Sequence, residues 1–212
     1  MKLHLGCWHR YIPGFIHIDL CDMDHIDFNS SIADLSMFDD ETVSLIYSSH
    51  SFEYFNRHNA KEVLKEWCRV LKKGGTLRLA VPDFDSLLTI YNNTGEIENI
   101  LGPLYGLMKI KTPQGEETLY HKTVYNFESL SSLLSSSGFK DIERYDWKKT
   151  IHKDFDDHSQ AYFPHMDKKN GTLLSLNIEA KKYLDKFQLY FNEKENCNNW
   201  CWYSRINFSK FN

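Results

Sequence analysis

The chain has 212 residues, 15% of them aromatic, and a formal net charge of −4. That size suits one good core with a small appendage. The acidic balance leaves no basic surplus for general nucleic-acid binding, and the aromatic content argues against a disordered chain. The start shows no charged segment followed by an apolar run and a cleavage site, and no apolar stretch reaches the roughly 18 residues of a membrane span. Cys7, Cys21, Cys68, Cys197 and Cys201 lack the spacing of a disulfide framework, so the expectation is reduced thiols in a cytoplasmic protein with no membrane association. Cys197 and Cys201 have no C-x-x-C pattern or histidine cluster beside them, and no metal is expected there.

From Lys2 to Leu20 the pattern reads strand, turn at Gly6, short irregular crossover, and a second strand ending on Asp19. A glycine at the carboxyl end of a first strand lets the backbone approach a ligand, and an acid ending the next strand accepts ribose hydroxyls. Trp8 stands where a second glycine is expected, and Pro13 and Gly14 leave little room for a full crossover helix. A plain strand-turn-strand with a surface aspartate is the competing reading. Ser31 to Leu35 is read as a brief strand, with Asp34 near its end. Asp39 to Thr42 is a polar turn, and Val43 to Ser49 a buried strand. His50, Glu53 and Tyr54 follow that strand, at the carboxyl end where ligands sit in open parallel sheets. They are site candidates by position.

Asn56 to Leu71 predicts an amphipathic helix, with Ala60, Val63, Leu64, Trp67, Val70 and Leu71 on one face. Lys72-Lys73-Gly74-Gly75 is expected to stop it with a glycine cap, and Thr76 to Val81 to form the next strand, ending at Pro82-Asp83. Strand, helix, Gly-Gly and strand then make a right-handed crossover unit.

The segments SSHSFEYF and EWCRVLKKGGTLRLAVPD, with the opening LHLGCWHRYIPGFIHIDL, resemble the small predicted class I S-adenosylmethionine (SAM)-dependent methyltransferases of bacteria, often linked to surface-polysaccharide gene clusters. The likeness covers about Lys2 to Lys182. It implies an α/β, Rossmann-like class I methyltransferase fold: a three-layer sandwich with a mixed sheet of about seven strands, the last inserted antiparallel, and abbreviated first crossovers. It implies SAM as cofactor, with Gly6 by its amino-acid portion, Asp19 at the ribose hydroxyls, Asp34 and the Leu35 backbone facing the adenine, and Ser49 and His50 lining the methyl-donor floor. Cys7, Trp8 and Leu20 belong to the same cofactor-binding set, where Trp8 would cap the cofactor or block it. The activity implied is methyl transfer to a small polar acceptor, such as a sugar, nucleotide-linked or phosphorylated intermediate of surface-polysaccharide modification. No nucleic-acid partner is implied, and the protein would act as a monomer or homodimer.

Beyond the fifth strand, Ser86 to Asn92 is helical and Ile97 to Ile110 is a second, more apolar segment. By analogy with the resembled fold, residues 84–125 form a lid, with a polar loop from Pro113 to Glu117. Tyr120 to Asn126 leads into a helix from Glu128 to Ser136. His121 precedes it, where the resemblance places a residue near the active site. Phe139 to Trp147 and Leu173 to Ala180 read as the last two strands. Between them, residues 148–171 carry His152, Asp156, Asp157, His158, Gln160, Tyr162, His165 and Asp167. A connection this long is read as a substrate-side loop, with a solvated hairpin loop or a His/Asp metal cluster as alternatives. Residues 1–182 are taken as the methyltransferase domain and 183–212 as an unassigned appendage beginning in a helix over Ala180 to Phe191.

SAM carries an electrophilic methyl, so the protein's task is alignment, and an oxygen or nitrogen acceptor also needs a base near neutral pKa. His50 and His121 are the candidates for that base, with Glu53 and Asp83 as groups that orient the acceptor's proton. Three rival readings stand beside this one. A non-catalytic methyltransferase-fold partner subunit is favoured by Trp8. A nicotinamide-dependent oxidoreductase is disfavoured by the missing glycines and helix. A nucleic-acid methyltransferase is disfavoured by net acidity and by the absence of an N/D-P-P-Y/F-type tetrapeptide.

Overall fold

The structure, a computed structural model, describes residues 1–112 and 115–183. The expected appendage, apart from Tyr183, and the Cys197–Cys201 pair lie outside the described residues. Strand β1 (Lys2–Leu5) pairs in parallel with β2 (Ile16–Asp19) on one side, Leu5 opposite Ile18, and β2 pairs with the short β3 (Phe28–Asn29). On its other side β1 pairs with β4 (Val43–Ser49), which leads through a 3₁₀ turn, Phe52–Tyr54, into helix α1 (Arg57–Val70). Asn56 caps α1, its side-chain oxygen accepting from the His58 and Asn59 N–H groups. Strand β5 (Leu71–Pro82) returns parallel to β4.

Helices α2 (Phe84–Thr94) and α3 (Glu98–Tyr105) follow, then a hairpin of β6 (Met108–Thr112) and β7 (Gly115–Leu119). Helix α4 (Phe127–Ser136) and strand β8 (Phe139–Arg144) precede a two-stranded ladder of β9 (Tyr162–Phe163) and β10 (Thr172–Leu173). Strand β11 (Ser175–Lys182) slides between β5 and β8, antiparallel to both. The seven-stranded order is β3-β2-β1-β4-β5-β11-β8, the mixed sheet of the expected class I methyltransferase fold.

Strand alternation divides the core. Leu3, Leu5, Ile46, Leu77, Leu79, Val81, Leu176 and Ile178 point to the face covered by α1 and α4, where Leu64, Trp67, Leu130 and Leu134 meet them. His4, His17, Leu45 and Tyr47 belong to the opposite face, and Leu45 and Tyr47 cluster there with Ile12 and Phe15 of the irregular first crossover. Further along, Leu87 and Ile90 of α2 and Ile100 of α3 pack with Phe163 and Leu174.

Several local expectations are corrected. Ser31 to Leu35 is a turn, and the strand on this edge is Phe28–Asn29. Short polar side chains divert the backbone there: Ser31 Oγ accepts from Ala33 N–H and Asp34 from Ser36 N–H. Gly74 and Gly75 do not cap α1. The helix ends on Leu71 in an extended conformation, and residues 72–75 form an irregularity in β5, where pairing jumps from Val43–Leu71 to Leu45–Thr76. The buried Lys182 Nζ donates to the Leu71 carbonyl at 2.7 Å and serves the helix end instead. Gly115 to Glu117 is strand, not loop, because Met108–Thr112 supplies a pairing partner. Strand β8 ends at Arg144, and Trp147–Lys149 is a 3₁₀ turn begun by Asp146. Leu173 pairs with Tyr162 rather than opening β11, and Ala180 to Lys182 continues β11 rather than starting a helix.

Trp67 ties the β3–β4 connection to the core. Its ring is fully buried and its indole N–H donates to the Ile32 carbonyl at 2.7 Å. Replacing Trp67 with Phe leaves that carbonyl unpaired and opens a void. The expected loss is about 1–3 kcal/mol of unfolding free energy, read from the urea midpoint.

Candidate active site

The glycine turn is fixed by sterics. Gly6 has φ +66°, and a Cβ there would overlap the Ser51 side chain, so only glycine lets β1 end against the turn after β4. Trp8, at the position expected to be glycine, itself takes a left-handed backbone, φ +45°. Its N–H donates to Asp19 Oδ2 at 2.7 Å and its carbonyl accepts from His25 Nε2 at 2.7 Å. Asp19 also accepts from Cys21 N–H at 2.9 Å, so the acid at the end of β2 clamps the chain on both sides of itself. The Trp8 ring lies against His9, with centroids 4.0 Å apart.

A cavity of about 480 Å³ opens beside this turn. On one side lie Gly6, Cys7, Trp8, Arg10, Ser49 and His50, from the carboxyl ends of β1 and β4. On the other lie Tyr54, Leu107, Met108, His121, His158 and Leu174. Among the predicted site residues, the structure thus brings Gly6, Cys7, Trp8, Ser49, His50, Tyr54 and His121 to one cavity. Asp19, Leu20, Asp34, Leu35 and Glu53 lie outside its lining, Asp19 directly behind the Trp8 backbone. Leu20 and Asp34 are exposed, whereas Leu35 is fully buried with its N–H donated to Glu66. Asp83 is also outside: its carboxylate caps α2 through Asp85 N–H and pairs with Arg144 at 3.1 Å, which accounts for it as a structural group.

Glu53 sits behind the histidines, with its carboxyl fully buried and neither oxygen hydrogen-bonded among the described residues. His50 Nδ1 lies 3.6 Å and His121 Nε2 3.7 Å from the same oxygen, Oε1. Burial pushes the Glu53 carboxyl up to about 8 and both imidazoles below their ordinary value. The His121 ring is seated over Gly106, where a Cβ would come within 2.6 Å of it, and Nδ1 donates to the Pro103 carbonyl at 3.0 Å.

Residues 148–171 bury Thr150, His152, Asp157, Ser159 and Gln160 against the sheet while Lys153, Asp154, Asp156 and His158 stay exposed, and no grouping of His, Cys, Asp and Glu suited to a metal occurs among the described residues. His152 is buried with its ring 3.9 Å from that of Tyr47, and Tyr47 OH donates to Asp157. Asp157 also accepts from Ser159 N–H, starting the 3₁₀ turn that carries His158 into the cavity. The His158 ring lies 5.1 Å from that of His50 and has no hydrogen bond to its nitrogens among the described residues. Of the cavity residues outside the sequence-derived set, Arg10, Leu107, Met108 and Leu174 carried no local motif. His158 had been visible only as one polar residue in a long loop.

Residues 18–79 match a family described as "Methyltransferase domain". A SAM-dependent methyltransferase from Methanosarcina mazei superposes with a TM-score of 0.51 at 16% identity, over 87% of this chain and 92% of that one. A SAM-dependent methyltransferase from Thermotoga maritima, described as a possible histamine N-methyltransferase, gives 0.50 at 13% identity, over 85% and 81%. No curated protein matches the chain. The fold is that of the class I SAM-dependent methyltransferases. The cofactor that goes with this fold and domain is S-adenosylmethionine.

The buried imidazoles bear on stability. Burial lowers the pKa of His4, His17, His50, His121, His158 and His152, the last to about 4. The unfolded chain takes up protons on these residues below about pH 6.5 while the folded chain resists, so stability is lost as pH falls from there. Glu53 acts oppositely, since its folded form is protonated below about 8 and the unfolded form only near its ordinary 4.5. The histidines outnumber it, and the thermal midpoint is expected to drop steadily between about pH 6.5 and pH 4. A flat midpoint over that range in circular dichroism melts would contradict the neutral assignment.

Proposed function

We propose that this protein is a SAM-dependent methyltransferase acting on a small-molecule acceptor, with cofactor and acceptor meeting in the cavity between the Gly6 turn and the His121–His158 wall. The observation that carries the reading is a backbone turn only glycine can make at the edge of the cavity, held from behind by the Asp19 clamp, facing a wall of imidazoles with apolar Leu107, Met108 and Leu174. Gly6, Cys7, Trp8, Ser49 and His50 hold the amino-acid end of the cofactor. Asp19 takes the ribose, and the exposed Leu20 beside it offers an apolar face to the base. Residues 84–125 form the lid and 148–171 the acceptor-side wall of the domain spanning 1–182.

When bound, SAM supplies a methyl group on a cationic sulfur. The residues of this chain align that methyl with the acceptor and exclude water. Burial keeps the imidazoles neutral at pH 7, so they are able to take a proton. His158 faces the cavity with no hydrogen bond to its ring nitrogens among the described residues and is placed to receive the acceptor's proton, with His50 and His121 behind it. The mixed lining favours an acceptor with a polar reacting group on an apolar body. A sugar or nucleotide-linked intermediate of surface-polysaccharide modification is the more particular possibility within that class.

Calorimetric titration with SAM and S-adenosylhomocysteine, with NAD as control, tests the reading. Saturable binding of both sulfur compounds and none of NAD is expected. Asp19→Ala should weaken binding by about tenfold or more, since both the ribose contact and the Trp8 clamp go. No binding by the folded protein would point to the second reading, a non-catalytic partner subunit whose site is filled by the Trp8 ring.

A further inference from the structure

The protonation pattern of the cavity wall follows from its hydrogen bonds. The Ser159 carbonyl can only accept, so it fixes the Asn177 amide with Nδ2 toward it at 2.8 Å and Oδ1 toward Ser175 at 3.0 Å. The Ser175 hydroxyl proton therefore goes to Asn177 Oδ1, and Ser175 Oγ accepts from His50 Nε2–H at 3.0 Å. In a neutral ring this leaves His50 Nδ1 bare. The Pro103 carbonyl fixes the proton of His121 on Nδ1 in the same way and leaves Nε2 bare. Both bare nitrogens point at Glu53 Oε1. A carboxylate facing two lone pairs in a dry pocket is repulsive, and one proton shared among the three groups resolves it.

We infer that His50, Glu53 and His121 titrate as one unit in the cofactor cavity, and that the charge of this unit sets the relative affinity for the cationic sulfonium of SAM and the neutral thioether of S-adenosylhomocysteine. The inference rests on the reading of this cavity as the SAM site. With one shared proton the unit is neutral. Losing that proton makes the wall negative and favours the sulfonium, whereas gaining a second makes it positive and disfavours it. The thioether is indifferent to both changes, so the pH of the medium biases the exchange of product for fresh cofactor. Other ionisable groups face the unit. His158, from the 148–171 segment, acts on His50, and Tyr54 and Tyr125 flank Glu53; Arg10, Asp156 and Asp157 act on His158, and Arg57, at the start of α1, on Tyr125. The ring of His158 lies beside that of His50, and burial first and then Arg10 lower its pKa, so it stays uncharged over the range at issue.

The test is calorimetry of SAM and S-adenosylhomocysteine on the wild type and Glu53→Gln from about pH 6.5 to about pH 9.5. In the wild type the preference for SAM over S-adenosylhomocysteine should rise about tenfold across a midpoint near 8, the range in which Glu53 gives up its proton. Glu53→Gln keeps the size of the side chain and cannot ionise, so its ratio should change by less than about twofold. Titration of the ligands' own amino groups is common to both proteins and cancels in that comparison. Parallel curves for wild type and variant would overturn the inference. Binding of neither ligand by the folded wild type would instead overturn the cofactor reading, and this inference with it. Should the variant not fold, ¹⁵N NMR of the wild-type histidines at pH 7 decides. The inference requires His50 protonated at Nε2 only and His121 at Nδ1 only, or a single second proton exchanging between them; full double protonation of both rings would refute it.

Discussion

The contact on which the site depends is the one that Tyr47 makes across the sheet face away from α1 and α4. The crossover from β1 to β2 contains no helix, so the face carrying His4, His17 and Tyr47 lacks the cover a full-length crossover would give it. Residues 148–171 provide it. The Tyr47 ring is stacked between His4 and His152, and its hydroxyl donates to Asp157. A buried phenol without an acceptor is costly, and this one is satisfied only when the loop is down. The same Asp157 starts the turn bearing His158. Covering the core and building the His158 side of the cavity are therefore one event.

How much of this could be read in the chain follows from how local each signal was. The parallel order through β1, β2, β4 and β5, and helix α1 with its Asn56 cap, rest on short-range periodicity and turn chemistry, which sequence displays directly. The Gly6 turn and Asp19 were legible for the same reason. What failed were assignments settled by a distant partner. Lys182 reaches back to the end of α1 and relieves Gly74 and Gly75 of capping it. Arg144 takes Asp83 out of the cavity, and Glu66 takes the Leu35 N–H. The imidazole of His158 looked like any other polar group in a loop, because the hydrogen bond that places its turn comes from Tyr47, a residue deep in β4.

Trp8 shows a side chain kept where backbone geometry argues against it. A left-handed conformation costs an ordinary residue about 1–2 kcal/mol. The clamp from Asp19 and the contact of the ring with His9 offset that cost. The turn thus reaches the shape a glycine would give it while placing a large aromatic surface at the wall of the cavity, where it shapes what enters.

Strand β11 completes the sheet and also supplies Ser175 and Asn177, whose hydrogen bonds orient His50 from 125 positions away along the chain. It enters between β5 and β8, which cannot otherwise meet. A chain emerging from the ribosome can therefore assemble β1 to β5 and the Gly6 turn early, yet it has no ordered imidazole wall until β11 is threaded into place. The Gly6 side of the cavity thus forms from contacts close in sequence, whereas the orientation of His50 waits on the last strand to enter the sheet.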